Sequence, residues 1–179
     1  ILIVSMSAIP LLISCAAQWY RNSTFPVLYT FDSYFERKYL DTGNADLHLV
    51  ASPSGWSGCE SKVAEIVFFP SKYPTVYCNG PFPDWKGYRV LTMDVFSPAD
   101  DPLTLQVMIK DSLKAPYHDR YNGQVQVRPG YNRVEIPLSD IEHAPKSRRL
   151  DLSSITEICL FLVDPEQKVI LYLDNLLLE

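Results

Sequence analysis

The stretches "LTLQVMIKD" (Leu103–Asp111) and "GQVQVRPG" (Gly123–Gly130) decide the fold. In the first, Leu103, Leu105, Val107 and Ile109 alternate with outward candidates such as Gln106 and Lys110. Successive side chains of a strand point to opposite faces, so a period of two buries one set and turns the other out. The same alternation runs upstream through Leu91, Met93 and Val95 and downstream through Val134 and Ile136. After Phe25, nine short runs carry this signal, at 27–31, 47–51, 63–69, 88–96, 103–110, 124–127, 133–137, 157–163 and 169–174. Turn-forming residues separate them and no long helical period intervenes, which is the pattern of an all-β sandwich. Only "LSDIEHA" and "LDLSSI" read as helical turns, each with a capping-type Ser or Asp near its start.

The connection between the two defining strands, "APYHDRYNG" (Ala115–Gly123), is richer than a turn requires. It sets Tyr117, His118, Asp119, Arg120 and Tyr121 side by side. Recognition of a sugar ring needs flat aromatic faces for its C–H surface and planar, multidentate groups for its hydroxyls. Tyr117 or Tyr121 can stack, Arg120 can donate in a fixed fork, and Asp119 can accept from a pair of hydroxyls. A structural reading stands beside this one: Asp111 or Asp119 pairs with Arg120 to clamp the loop, and the tyrosines lie over the sandwich edge. Trp56, in "SGWSG", is expected to be exposed and to offer a second stacking surface, while Trp85 precedes a core strand and is expected to be half-buried. Thr92, Asp94, Gln106, Lys110, Gln124 and Gln126 read as one polar sheet face, suited to a sugar or simply to water. His48, in a strand, and His143, in a polar turn, read as ordinary surface residues.

The 179 residues, 47% of them hydrophobic, suffice for one domain with a short appendage. A formal charge of -5, with acids and bases interleaved, leaves no basic stripe for a nucleic-acid backbone, so nucleic acid is excluded as a partner. The first twenty residues carry no charge, end on Trp19-Tyr20, and are followed by Arg21. Residues 1–22 therefore read as a membrane segment or secretion signal, and 23–179 as the sandwich. "LISC" also resembles a lipobox that would acylate Cys15, and a buried strand and loop at the domain edge is a further reading. The membrane readings place the sandwich outside the cytosol or against a bilayer. Of the four cysteines, Cys59 and Cys78 lie near turns, as a bridge or as two free thiols; no zinc-ligand spacing occurs.

Six phrases in order, "WKGYRVLTMDVFSP", "LTLQVMIKD", "YHDRYN", "PGYNRVEIPLSDIEHAP", "RRLDLSSITEICLFL" and "LYLDNLLLE", give the chain a family likeness. It resembles the carbohydrate-binding-module-like sandwiches with a galactose-binding-domain fold. In particular it is similar to the extramembrane domain of some VanZ-like membrane proteins, whose "FP" and "F(E/D)S" elements are matched by Phe25-Pro26 and Phe31-Asp32-Ser33. The resemblance covers roughly Phe25 to Glu179. It implies a jelly roll of about eight to nine antiparallel strands with the first and last strands close together, an oligo- or polysaccharide partner, and no catalysis. It also implies a structural calcium near those two strands, for which Asp32 and Asp174 match the carboxylate positions; a strand-end turn is the other reading of Asp174-Asn175. The 41–83 segment, rich in Pro, Ser and Cys, departs from the family.

Catalysis has little to rest on. Asp94, Asp111, Asp119 and Glu135 are available acids, and His118/Asp119 is a conceivable acid–base pair. No nucleophile elbow, metalloprotease, phosphate-loop or dinucleotide motif accompanies them. The functional expectation is a non-catalytic, membrane-tethered sugar-binding module with Tyr117, His118, Asp119, Arg120, Tyr121, Trp56, Gln106 and Asp111 as its ligand set. A structural or protein-interaction sandwich, and a glycan hydrolase, are the alternatives.

Overall fold

The computed structural model describes residues 2–31, 33–56 and 62–179, with the side chains of residues 2–9 outside that description. Among the described residues eleven strands form two antiparallel sheets. One sheet contains β1 (Val27–Tyr29), β3 (Ala45–Ala51), β4 (Lys62–Phe68), β6 (Val90–Ser97), β9 (Gly130–Pro137) and β11 (Val169–Leu178). Its order is β3-β4-β11-β6-β9, with β1 added to β11. The other sheet contains β2 (Leu40–Gly43), β5 (Thr75–Asn79), β7 (Leu103–Lys110), β8 (Tyr121–Val127) and β10 (Glu157–Phe161), in the order β2-β5-β10-β7-β8. The first and last strands do lie together, Val27 opposite Leu177 and Tyr29 opposite Leu176.

The strand count exceeds the nine runs because β2 and β5 are weak as sequence. "LDTG" has no apolar alternation, and "TVYCN" is bracketed by Pro74 and Gly80-Pro81, which read as turn. Their pairing is supplied from a distance: β5 lies against β10 from Thr75, opposite Phe161, to Asn79, opposite Glu157. The inward set is as the alternation predicts. Leu91, Met93, Val95, Leu105, Val107, Ile109, Val134 and Ile136 all join one core, with Leu103 packed at its margin. Burial of this kind is the main stabilising term, about 1.5–3 kcal/mol per large aliphatic side chain. Trp85 is fully buried rather than half-buried, its ring edge-on to Phe82 at 5.9 Å.

The polar residues expected on one face belong to two. Thr92 and Asp94 lie on β6 in the six-stranded sheet, whereas Gln106, Lys110, Gln124 and Gln126 lie on β7 and β8 in the other. Alternation assigns parity within a strand; the crossover between β6 and β7, which carries the chain from one sheet to the other, is invisible to it. Cys78 is a free thiol on the core side of β5, and burial pushes its pKa up to about 12. It is not bridged; Cys59 lies outside the described residues.

Helix α1 (Leu2–Thr24) precedes the sandwich, and α2 (Leu138–His143) realises "LSDIEHA" without a side-chain cap. "LDLSSI" forms turns instead of a helix: the Asp151 carboxylate accepts from the Ser153 and Ser154 hydroxyls at 2.7 and 2.8 Å, which lowers its pKa to about 2. Among the described residues no helix is long and apolar enough to cross a membrane. The end of α1 is fastened to the sandwich by Arg21, whose side chain is buried. Its guanidinium donates to the Asn79 and Pro81 carbonyls at 2.9 and 3.0 Å and to the Tyr29 hydroxyl at 2.7 Å. It also lies 3.7 Å from the Tyr39 ring centroid. A buried cation is tolerable only with such partners.

Candidate functional site

The loop from Asp111 to Arg120 is clamped, and the base of the clamp comes from far away. Arg148, in the connection between α2 and β10, donates through Nε to Asp119 Oδ2 at 2.8 Å and through Nη2 to Asp111 Oδ1 at 2.7 Å; its Nη1 also meets Asp111. Asp111 Oδ2 additionally accepts the Asp151 backbone N–H at 2.8 Å. Burial opposes ionisation of Asp111, but the Arg148 hydrogen bonds and the Asp151 amide outweigh it and hold the carboxyl below its usual value. The expected clamp therefore exists with Arg148 in place of Arg120, a partner 37 residues from Asp111. Asp111 and Asp119 are both held by this clamp.

Their neighbours divide. Tyr121 is half-buried against the core, its ring laid over Gly123; a Cβ there would fall 2.2 Å from the tyrosine hydroxyl, so the position favours glycine. Tyr117 is 71% exposed, with the Arg120 guanidinium 5.3 Å from its ring centroid. Asn122 supports both, donating to the Tyr117 carbonyl at 2.8 Å and accepting from Arg120 Nε at 3.1 Å. His118 is exposed beside them.

Trp56 is on the other side of the molecule and is buried, not exposed. Gly55, at φ +99°, turns the chain back so that the indole stacks on Phe96 at 5.9 Å and 8° and meets Tyr131 at 6.0 Å. Beside this roof, Asp94 accepts from the Tyr131 hydroxyl at 2.8 Å and from Asn175 Nδ2 at 2.9 Å, with Arg133 at 3.6 Å. Around β6 the outer face of the six-stranded sheet is thus covered by Trp56, and the Asp94 carboxylate is paired.

The outer face of the five-stranded sheet differs. Because Val76, Cys78, Leu105, Val107, Ile109, Ile158 and Leu160 point into the core, their neighbours on β5, β7 and β10 point out. Register aligns them in rows: Thr75, Phe161, Gln106 and Gln124 in one, and Asp41, Tyr77, Cys159, Met108 and Asn122 in the next. Cross-strand neighbours lie about 5 Å apart, so Phe161 adjoins Gln106 and Gln106 adjoins Gln124. Tyr77 and Phe161 are half-buried, Tyr73 meets Phe161 edge-on at 6.1 Å, and Gln124, Gln126 and Asn122 are exposed. The floor is closed by the Lys110–Glu157 ion pair at 2.5 Å and by Cys159, whose thiol donates to Glu157 at 3.0 Å. The row ends at Asn122, the residue that holds Tyr117 and Arg120, so face and loop are continuous. Gln106 is thus correctly part of an open polar face. Tyr77, Phe161 and Asn122 also open onto this face; the alternation of Val76 and Cys78 with Tyr77 in "TVYCN" is the signal that turns Tyr77 outward.

Among the described residues no three His, Cys, Asp or Glu side chains gather as a metal-binding group. Asp174 is buried on β11 opposite Asp94 and its Oδ1 accepts the Asn175 N–H at 2.8 Å; Asp32 lies outside the described residues.

No family model matches the sequence, and no curated protein does. Solved structures share the fold. An exo-β-agarase superposes with TM-score 0.67 at 17% identity over 84% of this chain, which spans 24% of the agarase. A family 11 carbohydrate-binding module of Clostridium thermocellum, solved with a β-1,3-1,4-mixed-linked tetrasaccharide, gives TM-score 0.62 at 17% identity, over 85% of this chain and 93% of the module. A Clostridium thermocellum xylanase segment joining a family 22 binding module to its catalytic module, bound to xylohexaose, gives TM-score 0.56 at 12% identity, over 84% of this chain and 27% of that one. At such identities the likeness is one of fold: the chain is a β-sandwich of the kind that carbohydrate-binding modules adopt.

Proposed function

We propose that the chain is a non-catalytic carbohydrate-binding module that receives a glycan across the outer face of the five-stranded sheet. The observation that carries this is the outer face on which Phe161 lies beside Gln106 and Gln106 beside Gln124, with Tyr77 and Asn122 towards opposite ends of the adjacent row. Tyr117 and Arg120 extend it at the loop end, with His118 at the rim. Tyr and Phe supply apolar faces for pyranose C–H groups, and the amides supply paired donors and acceptors for vicinal hydroxyls. The module-sized neighbour solved with a mixed-linked tetrasaccharide supports this use of the fold. Near this face Glu157 is paired with Lys110, and Asp111 and Asp119 share Arg148, which supports a binding role for these side chains over an acid–base one.

The proposal includes the tether. The uncharged N-terminal stretch and the VanZ-like resemblance support anchoring of α1 in a membrane, with the sandwich outside the cytosol, where cell-envelope or environmental glycans lie. It includes a calcium ion held by Asp32 and Asp174, supported by the pairing of β1 with β11 and by the carboxylate oxygens such an ion prefers. Bound there, the ion would neutralise a buried carboxylate. A rise in unfolding temperature with calcium over chelator, lost in Asp174→Asn, is the expected result.

Calorimetric titration of the full chain with mixed-linked β-glucan, xylan, agarose and envelope oligosaccharides tests the glycan reading. Saturable binding that Tyr77→Ala/Phe161→Ala abolishes supports it. A flat response across the panel from folded protein would leave a structural or protein-interaction sandwich.

A further inference from the structure

The end of α1 and the turn beside it form a collar whose chemistry changes over a short distance. Leu11, Leu12 and Ile13 are 67%, 65% and 41% exposed. Three consecutive residues sweep about 200° of a helix, so the helix stands clear of the sandwich here. One turn later Ala17 is buried, the Tyr39 hydroxyl donates to Gln18 Oε1 at 3.3 Å, and Arg21 is locked in place. Between these levels the 3-10 turn Glu36–Tyr39 sets Arg37 and Lys38 in solvent, and the Lys38 ammonium donates to the Ser14 hydroxyl. Among the described residues neither cation forms an ion pair with a carboxylate. Two exposed aromatics complete the ring, Tyr34 at 75% and Trp19 at 71%.

We propose that this collar docks on an anionic lipid headgroup layer, with Arg37 and Lys38 contacting lipid phosphates and the sandwich held upright by the Arg21 lock. The inference rests on the membrane-tether reading and adds the lipid charge, the contact residues and the fixed orientation. An apolar helix giving way to cations and exposed aromatics is the composition met where a chain leaves hydrocarbon for the headgroup layer. The rise from Ser14 to Trp19 is about 7.5 Å, comparable to the thickness of one headgroup layer. Exposed cations with no carboxylate partner among the described residues complement phosphate, whereas a second protein surface would have to supply both acids and an apolar cradle.

Vesicle flotation of the full chain tests it, using phosphatidylcholine vesicles with and without phosphatidylglycerol. Anionic vesicles are expected to bind roughly thirtyfold more tightly at low salt, about fivefold per cation, and Arg37→Gln/Lys38→Gln is expected to erase that preference while keeping the unfolding temperature. Equal binding to both vesicles, or a preference that survives the double substitution, overturns the collar and leaves the tether intact. Binding to neither overturns the tether and the collar with it. Lipids brominated near the headgroup provide a second readout. Trp56 and Trp85 are buried, so quenching reports Trp19; unquenched fluorescence from vesicle-bound protein also overturns the proposal.

Discussion

The outer faces of the two sheets begin from the same alternation and end differently. Over the six-stranded sheet, Trp56 covers Phe96, while the neighbouring Asp94 has Tyr131, Asn175 and Arg133 as partners. Over the five-stranded sheet, Gln124 and Asn122 stand exposed on the same face as half-buried Tyr77 and Phe161. Polar residues on a strand thus do not identify a binding face. What sets the five-stranded face apart is that aromatic and amide groups are left uncovered on one surface.

The largest expected effect concerns the covered face. Trp56→Ala should destabilise the fold by about 3 kcal/mol in denaturant unfolding, through the cavity it leaves, with glycan affinity unchanged. Loss of affinity at preserved stability would reverse the roles of the two faces. Next, Arg148→Ala leaves Asp111, whose side chain is 4% exposed, without its cation. A loss of about 2 kcal/mol is expected, together with faster hydrogen exchange across 112–120; unchanged exchange would show that the loop holds without its clamp. Tyr117→Ala should weaken glycan binding severalfold and leave unfolding unaltered, since the ring is 71% exposed.

The smallest effect is one of pH. The folded Asp111 carboxyl is depressed below its ordinary value, so its contribution is fully present above about pH 4 and is lost as pH falls through the lower, folded value. Amide protection of the loop should therefore fall on acidification before that of the core strands, and Arg148→Ala should remove the difference. Simultaneous loss in loop and core would assign the acid sensitivity elsewhere.

Much of this was legible in the residues. Strand after strand, the inward set from Leu91 to Ile136 could be read because side-chain direction is a local property of extended backbone. Gln106 was correctly turned outward for the same reason. The loop's need for an acid–base clamp was also visible, but its base was misassigned, since Arg120 is near in sequence and Arg148 is near only in space.

The chain's own order of residues determined that it is a sandwich, which side of most strands is buried, and that its N-terminal stretch is uncharged. Each follows from interactions over a few residues. Only the tertiary structure decided which sheet a strand joins, where β2 and β5 find partners, that Trp56 is a roof, and that Tyr77, Phe161 and Gln106 share a surface. Those outcomes depend on pairings between distant segments, selected by the burial of the whole core and recorded in no local pattern.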